Sequence, residues 1–219
     1  MSKVVHKTVQ DEAFAEVIYS TSEVIIAQCY KEDNSAKGFK STINQGSIVK
    51  IISSYDNSYL SYGLITKINN TSLDHIHKPS ALGLNQEELA ELQPQVYELL
   101  KKELEIYLFA HKDNNILLTY PPQRPMMIHD FVKGINSQES LELTENITDL
   151  INVIKKNQLK MDLLVNLIEL GLNVRENDYN YLIKAGKEIS LAFSDEVEML
   201  FPVLKRLSRL KAVTTKTNF

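Results

Sequence analysis

The chain has a single cysteine, Cys29, so no disulfide can form within it. That lack fits a reducing compartment. Cys29 lies in the apolar run VIIAQCY, where a free thiol reads as a small buried hydrophobe rather than a reactive group. Long apolar runs are also lacking. No window approaches the roughly 18 uninterrupted apolar residues of a membrane span. The N-terminal stretch MSKVVHKTVQDEAF has no apolar core of signal-peptide length, and a cytoplasmic setting is expected. Neither sign of charge dominates. With 24 Lys and Arg against 28 Asp and Glu the net charge is −4, which gives no global attraction to nucleic acid but leaves room for a local basic patch. There is no internal repeat and no low-complexity segment.

What is present is a folded protein's balance. Apolar residues make up 43% and charged residues 24% of 219 residues, enough for a sizeable core in one large domain or in a domain with a smaller companion. The organising stretch is 45–69, QGSIVKIISSYDNSYLSYGLITKIN. Ile48, Val49, Ile51 and Ile52 form one β-branched run. A Ser, Asp, Asn and Tyr turn comes after it, and then a second run of Tyr62, Leu64, Ile65 and Ile68. Gly63 inside that run marks a bulge or sharp bend. Further strands are expected at 15–20, 23–30, 104–111 and 116–120, with an edge strand near 4–10. Residues 126–132 are expected to close the sheet and Gly134 to end it. Hairpins at this spacing predict a small antiparallel barrel over 1–135. Asn85 with Glu88 resembles a capping box, and Pro94 divides the helical stretch beyond it, so helices at 86–92 and 94–103 interrupt the strands.

Beyond Asn136 the period becomes helical. Four helices are expected. Thr144 caps the first, Gly171 lies just past the end of the second, Asp178 starts the third, and Ser194 caps a fourth that Pro202 kinks. The fold class expected is therefore α+β: an N-terminal antiparallel β-barrel with a helical insertion at about 85–103, then a helical region at 136–219.

Several residues in the first part match a known pattern. Gly46-Ser47-Ile48-Val49-Lys50-Ile51 precedes a strand with an internal glycine, Tyr62-Gly63-Leu64-Ile65-Thr66-Lys67-Ile68. A small loop, Lys78-Pro79-Ser80-Ala81-Leu82-Gly83, comes next, and Pro121-Pro122-Gln123-Arg124-Pro125 ends the barrel. Over roughly residues 4–135 this resembles the HAS barrel, named for HerA-type DNA translocases and F-type ATP synthase subunits. The resemblance implies a barrel that helps to build a ring beside a P-loop ATPase core and, in the translocases, docks a nuclease. The ATPase does not carry over. The P-loop pattern is GxxxxGK[ST]. The one Gly-Lys pair here, Gly186-Lys187, is followed by Glu188 and has Tyr181 where the first glycine belongs.

The candidate chemistry is sparse. His75 and His77 stand at i, i+2 beside Asp74, a spacing that on a strand turns both rings to one side. A metal would need a third ligand such as His111 or His129, and the plainer reading is two solvated loop histidines. His129-Asp130 near Arg124 has no nucleophile or paired carboxylate to work with. The expectation is thus no enzyme, no metal and no cofactor, but a non-enzymatic assembly or adaptor protein. Its protein partner would be another protein or further copies of itself, a translocase-like ATPase or its nuclease being the candidates that the resemblance implies. Arg124 among prolines, Tyr59, Tyr62, Phe201 and Leu204 are the candidate partner-binding residues. The alternative is single-strand nucleic-acid binding. It would use Tyr55, Tyr59 and Tyr62 for stacking and the basic tail Lys205, Arg206, Arg209, Lys211 and Lys216 for phosphates. The tail's cations also suit a helix C-terminus with no ligand at all. A helical region of about 80 residues buries only some 60% of its unfolded surface. Ile147, Ile151, Ile154, Leu163, Leu167, Phe201 and Leu204 therefore need cover from the barrel, a second copy or a partner, and a docking role for the tail is expected.

Overall fold

In the computed structural model, residues 13–31, 43–56, 58–74, 80–114 and 116–214 are described, with backbone alone for 86 and 211–214. The expected strand near 4–10, most of the polar loop expected at 31–45, and His75 and His77 lie outside these residues.

Seven strands form the sheet: β1 (Ala15–Ser20), β2 (Val24–Cys29), β3 (Ile48–Ile52), β4 (Leu60–Ser72), β5 (Leu100–Asp113), β6 (Ile116–Leu118) and β7 (Phe131–Gly134). Their order is β2-β1-β7-β3-β4-β5-β6, and β2 also pairs with β5. That extra pairing closes six antiparallel strands into a barrel and leaves β6 outside it. Strands β3, β4 and β5 run as a meander and β7 returns beside β3, a Greek-key connection. Alternation along each strand sorts the side chains. Val17, Ile25, Val49, Ile51, Ile65, Ile106, Leu108 and Val132 fill the barrel, and Met126 joins them. Gly63 behaves as expected: the register shifts between Tyr62 and Gly63, and a Cβ there would overlap Ile106.

The insertion folds as α1 (Gln86–Leu92) and α2 (Pro94–Leu99). The capping box at Asn85 is present: its side chain accepts from Glu88 N, and Glu88 accepts from Asn85 N. The second helix stops sooner than 103. Leu100, Lys101, Lys102 and Glu103 are strand instead, paired with Ser72, Thr71, Asn70 and Asn69, so tertiary pairing overrides their helical propensity. Closure also comes later than expected. Residues 126–130 are loop, and β7 begins at Phe131.

Among the described residues the tail holds five helices: α3 (Ser137–Leu143), α4 (Ile147–Lys156), α5 (Met161–Asn173), α6 (Tyr179–Ala192) and α7 (Val197–Thr214). Helix α3 starts from Asn136, whose capping box with Glu139 the apolar pattern did not reveal. Thr144 ends that helix, and Asn146 caps α4. Asp178 caps α6 as expected. Gly171 lies inside α5, Ser194 lies in the turn before α7, and Pro202 lies within α7. The helices do not form a separate core. Ile48, Tyr62, Leu64, Tyr107, Phe109 and Ala110 on the barrel's outer face share one cluster with Ile147, Ile151, Ile154, Leu163 and Leu167. The barrel supplies the cover that those five tail residues need.

Candidate docking surfaces

The proline-rich exit is a built loop. Pro122, Met126 and Asp130 turn inward, while Gln123, Arg124, Pro125, Met127, Ile128 and His129 stay exposed. Asp130 is fully buried, and its carboxylate organises the loop. One oxygen accepts from Ser54 N (2.7 Å) and Ser54 Oγ (3.1 Å), and the other from Met127 N (2.6 Å). A buried charge is tolerated when donors surround it in this way. Asp130 is therefore a structural carboxylate that ties the β3–β4 turn to the exit loop. Glu16 accepts a hydrogen bond from His129 Nδ1, and His111 Nδ1 meets Tyr120 O at 3.0 Å. Among the described residues no three His, Cys, Asp or Glu side chains converge as a metal cluster would require.

Holding the loop this way exposes an apolar rim at one end of the barrel. Backbone bonds from His129 N to Val17 O (2.8 Å) and from Val17 N to Asp130 O (2.9 Å) lay the loop along β1. Ile18 and Tyr19 are thereby brought alongside Met127 and Ile128, and all four are exposed; Met127 is 54% accessible. Burial of three neighbours on the loop makes this exposure a choice of the fold rather than slack. Polar groups edge the rim. Arg124 stacks over Tyr59, 4.0 Å from the ring centroid, and reaches Asp56 at 3.8 Å. The Tyr59 hydroxyl donates to Arg124 O. Burial raises the Tyr59 pKa, an effect the Arg124 charge opposes. Hydrogen bonds from Ser58, with Arg124 nearby, hold Asp56 below the usual carboxylate range.

Tyr62 is placed differently from the expectation. It is fully buried at the joint between barrel and helices, so it presents no surface to a partner or a base. Its hydroxyl donates to Glu139 Oε1 (3.2 Å), and Lys50 Nζ meets both Glu139 oxygens (3.0 and 3.1 Å). Glu139 also accepts from Asn136 N (2.8 Å). One carboxylate thus starts α3 and bolts it to β3 and β4. Burial first, and the Glu139 charge second, push the Tyr62 hydroxyl pKa well up.

A second apolar surface lies on the α6–α7 hairpin. Ile183, Gly186, Lys187, Ser190, Leu191 and Leu204 line a groove of about 540 Å³. Val197, Phe201 and Leu204 recur at i, i+4 and i+7, one stripe of α7. Phe201 is 68% exposed and Leu204 is half-buried against the shared core. Lys205, Arg206 and Arg209 are exposed on the same helix. Arg206 is paired with Asp162. Only the backbone of Lys211 is described, and Lys216 lies outside the described residues. The tyrosines and the basic helix thus belong to different elements. A hollow of about 630 Å³ beside Gly46 spends its amides on structure: Asn166 donates to Gln45 O (3.0 Å) and Gln45 to Thr66 O (2.6 Å).

Of the five residues expected to bind a partner, Arg124 and Tyr59 share the rim, Phe201 and Leu204 share the hairpin, and Tyr62 is inside. Ile18, Tyr19, Met127, Ile128 and Leu191 are exposed apolar residues outside the expected set. Met127-Ile128 was hidden because it read as barrel-closing strand. Comparison with family models and with curated proteins finds no match for this chain. No helix among the described residues is long and apolar enough to cross a membrane.

Proposed function

We propose that this chain is a non-enzymatic assembly or adaptor protein whose barrel end docks on a protein partner. The observation that supports this reading is the rim of Ile18, Tyr19, Met127 and Ile128. These are four exposed apolar side chains, two on strand β1 and two on a loop whose own anchor, Asp130, is buried. Apolar patches rimmed by polar groups mark protein interaction sites. Methionine and tyrosine suit such a surface, one by adapting its shape and the other by adding rigid area. The neighbouring Arg124 is held ready by Tyr59 for a carboxylate at the edge of the contact. The resemblance to the HAS barrel suggests the partner class, a translocase-like ATPase or its associated nuclease.

The test is affinity capture from the native host at physiological salt, with wild type and a Met127→Asp/Ile128→Asp variant compared side by side. Both positions are exposed, so the variant should melt within about 2 °C of wild type, as surface substitutions usually do. A specific protein recovered by wild type and lost in the variant supports the reading. Equal recovery by both, or no specific protein with either, refutes it. The nucleic-acid reading is weaker. Tyr62 is buried, Tyr59 lies under Arg124, and no basic groove runs beside them among the described residues.

A further inference from the structure

The helical insertion carries apolar side chains that its own fold does not use. No described side chain from Ser80 to Leu99 is buried; Leu92 is 62% exposed, and Leu82 and Leu99 are also exposed. Helices α1 and α2 pack chiefly on each other and are tied down by Lys31, which donates to Tyr97 O (3.2 Å) and Glu98 O (2.6 Å). The segment is acidic throughout. Residues 80–99 hold Glu87, Glu88, Glu91 and Glu98 and no basic residue. Glu88 is engaged in the capping box and Glu98 in an ion pair with Lys31. Glu87 and Glu91 have no ion pair among the described residues.

The hairpin groove is the complement in both shape and charge. Its walls are Ile183, Leu191 and Leu204, and Gly186 forms an open floor, since a Cβ there would meet nothing within 4 Å. Lys187 lines it and Lys205 follows Leu204 on α7; both are exposed, without ion pairs among the described residues. Within one chain the two surfaces lie at different places along the β4–β5 ribbon. The insertion leaves the β4–β5 ribbon at Ser72 and Leu100, whereas the helical tail covers that ribbon from Tyr107 onward. Six strand residues, Lys101 to Ile106, separate them, roughly 20 Å.

We infer that α1–α2 of one copy docks into the α6–α7 groove of a second copy. Leu89, Leu92 and Leu99 would enter the groove, and Glu87 and Glu91 would face Lys187 and Lys205. This mode is a helix laid in an apolar groove with charges fixing its orientation. The contact is head-to-tail, so a pair of copies keeps one free groove and one free insertion. Such contacts close into a ring or grow as a filament. Neither surface includes the barrel rim, so self-association and docking at the rim stand or fall separately.

Sedimentation equilibrium at low salt tests it with two variants of the full chain. One removes the inserted face (Glu87→Lys/Glu91→Lys/Leu92→Asp), and the other fills the groove (Gly186→Phe/Lys205→Glu). All these positions are exposed or open, so both variants should keep the wild-type circular dichroism and melt. Wild type should gain average mass with concentration and lose that gain as salt screens the charges. Each variant alone should stay at monomer mass. An equimolar mixture of the two should give a particle of twice the monomer mass and no larger, because one intact groove meets one intact insertion. A wild type that remains monomeric, a variant that associates like wild type, or a mixture that stays monomeric would overturn the inference.

Discussion

At the residue scale the structure turns on single polar groups placed where the backbone needs them. Asp130 holds the Ser54 and Met127 amides, and hydrogen bonds to a charged group contribute about 1.5–3 kcal/mol each net. Asp130→Ala should therefore lower unfolding free energy by about 3 kcal/mol in urea titration, with Asp130→Asn falling between it and wild type. A loss under about 1 kcal/mol would show that water replaces the carboxylate easily. Nothing in the sequence distinguished this aspartate from the neighbouring His129, because burial is a property of the closed barrel and not of the dipeptide. Cys29, read from its apolar neighbours as buried, is only partly so, packed against the barrel core. Burial pushes its thiol from 9.0 up to about 11, with Lys102 opposing. Folded protein near pH 8 should react with iodoacetamide about 100-fold more slowly than denatured protein, since thiolate is the nucleophile. Equal rates would place the thiol in solvent.

At the scale of elements, strands were read more surely than helix ends. The β3 and β4 runs and the glycine between Tyr62 and Leu64 carried their own signal through branching and alternation. Helix starts depend on side chains that reach back three residues, and Thr144 and Asn146 are equally plausible caps until the backbone is seen. The start of β5 was invisible locally, because Leu100 to Glu103 become strand only by pairing with β4. Two helical glycines show how packing decides the sign of one substitution. Gly186 has open space around it, so Gly186→Ala should add about 0.5–1 kcal/mol by helix propensity. In a chain of this size that raises Tm by roughly 2 °C. Gly171→Ala gains the same propensity, but its Cβ would overlap the Tyr181 hydroxyl that donates to Thr144 O (3.0 Å). It should lower Tm, and differential scanning calorimetry on the pair would show opposite shifts. Two shifts of the same sign would contradict this account of the α5–α6 contact.

At the scale of the whole molecule, barrel and helices are one unit. The Lys50–Glu139–Tyr62 cluster and the apolar layer from Ile48 to Phe109 join them, so the chain should unfold in a single transition seen alike by far-ultraviolet circular dichroism and tyrosine fluorescence. Two separated transitions would contradict a shared core. Alkaline pH should weaken this unit. Burial raises Tyr181 from 10.0 to about 12, against the Arg175 charge, so the unfolded tyrosine ionises first. The folded state binds the extra proton, and the stability it contributes is full below about pH 10 and lost as pH rises toward 12. A Tyr181→Phe protein should show a shallower loss over that window. The order of barrel then helices was legible from the change of hydrophobic period near Asn136, whereas the exposed rim emerged only once Asp130 and the β1 pairing were in place. The central claim is that this rim is a docking surface for a protein. It is tested most directly by a photo-crosslinking amino acid at Met127 in the native host, with the same group at exposed Glu169 on α5 as the reference. The account predicts a discrete adduct with another protein from position 127 and none from position 169. No adduct from 127, or the same adducts from both positions, would contradict it.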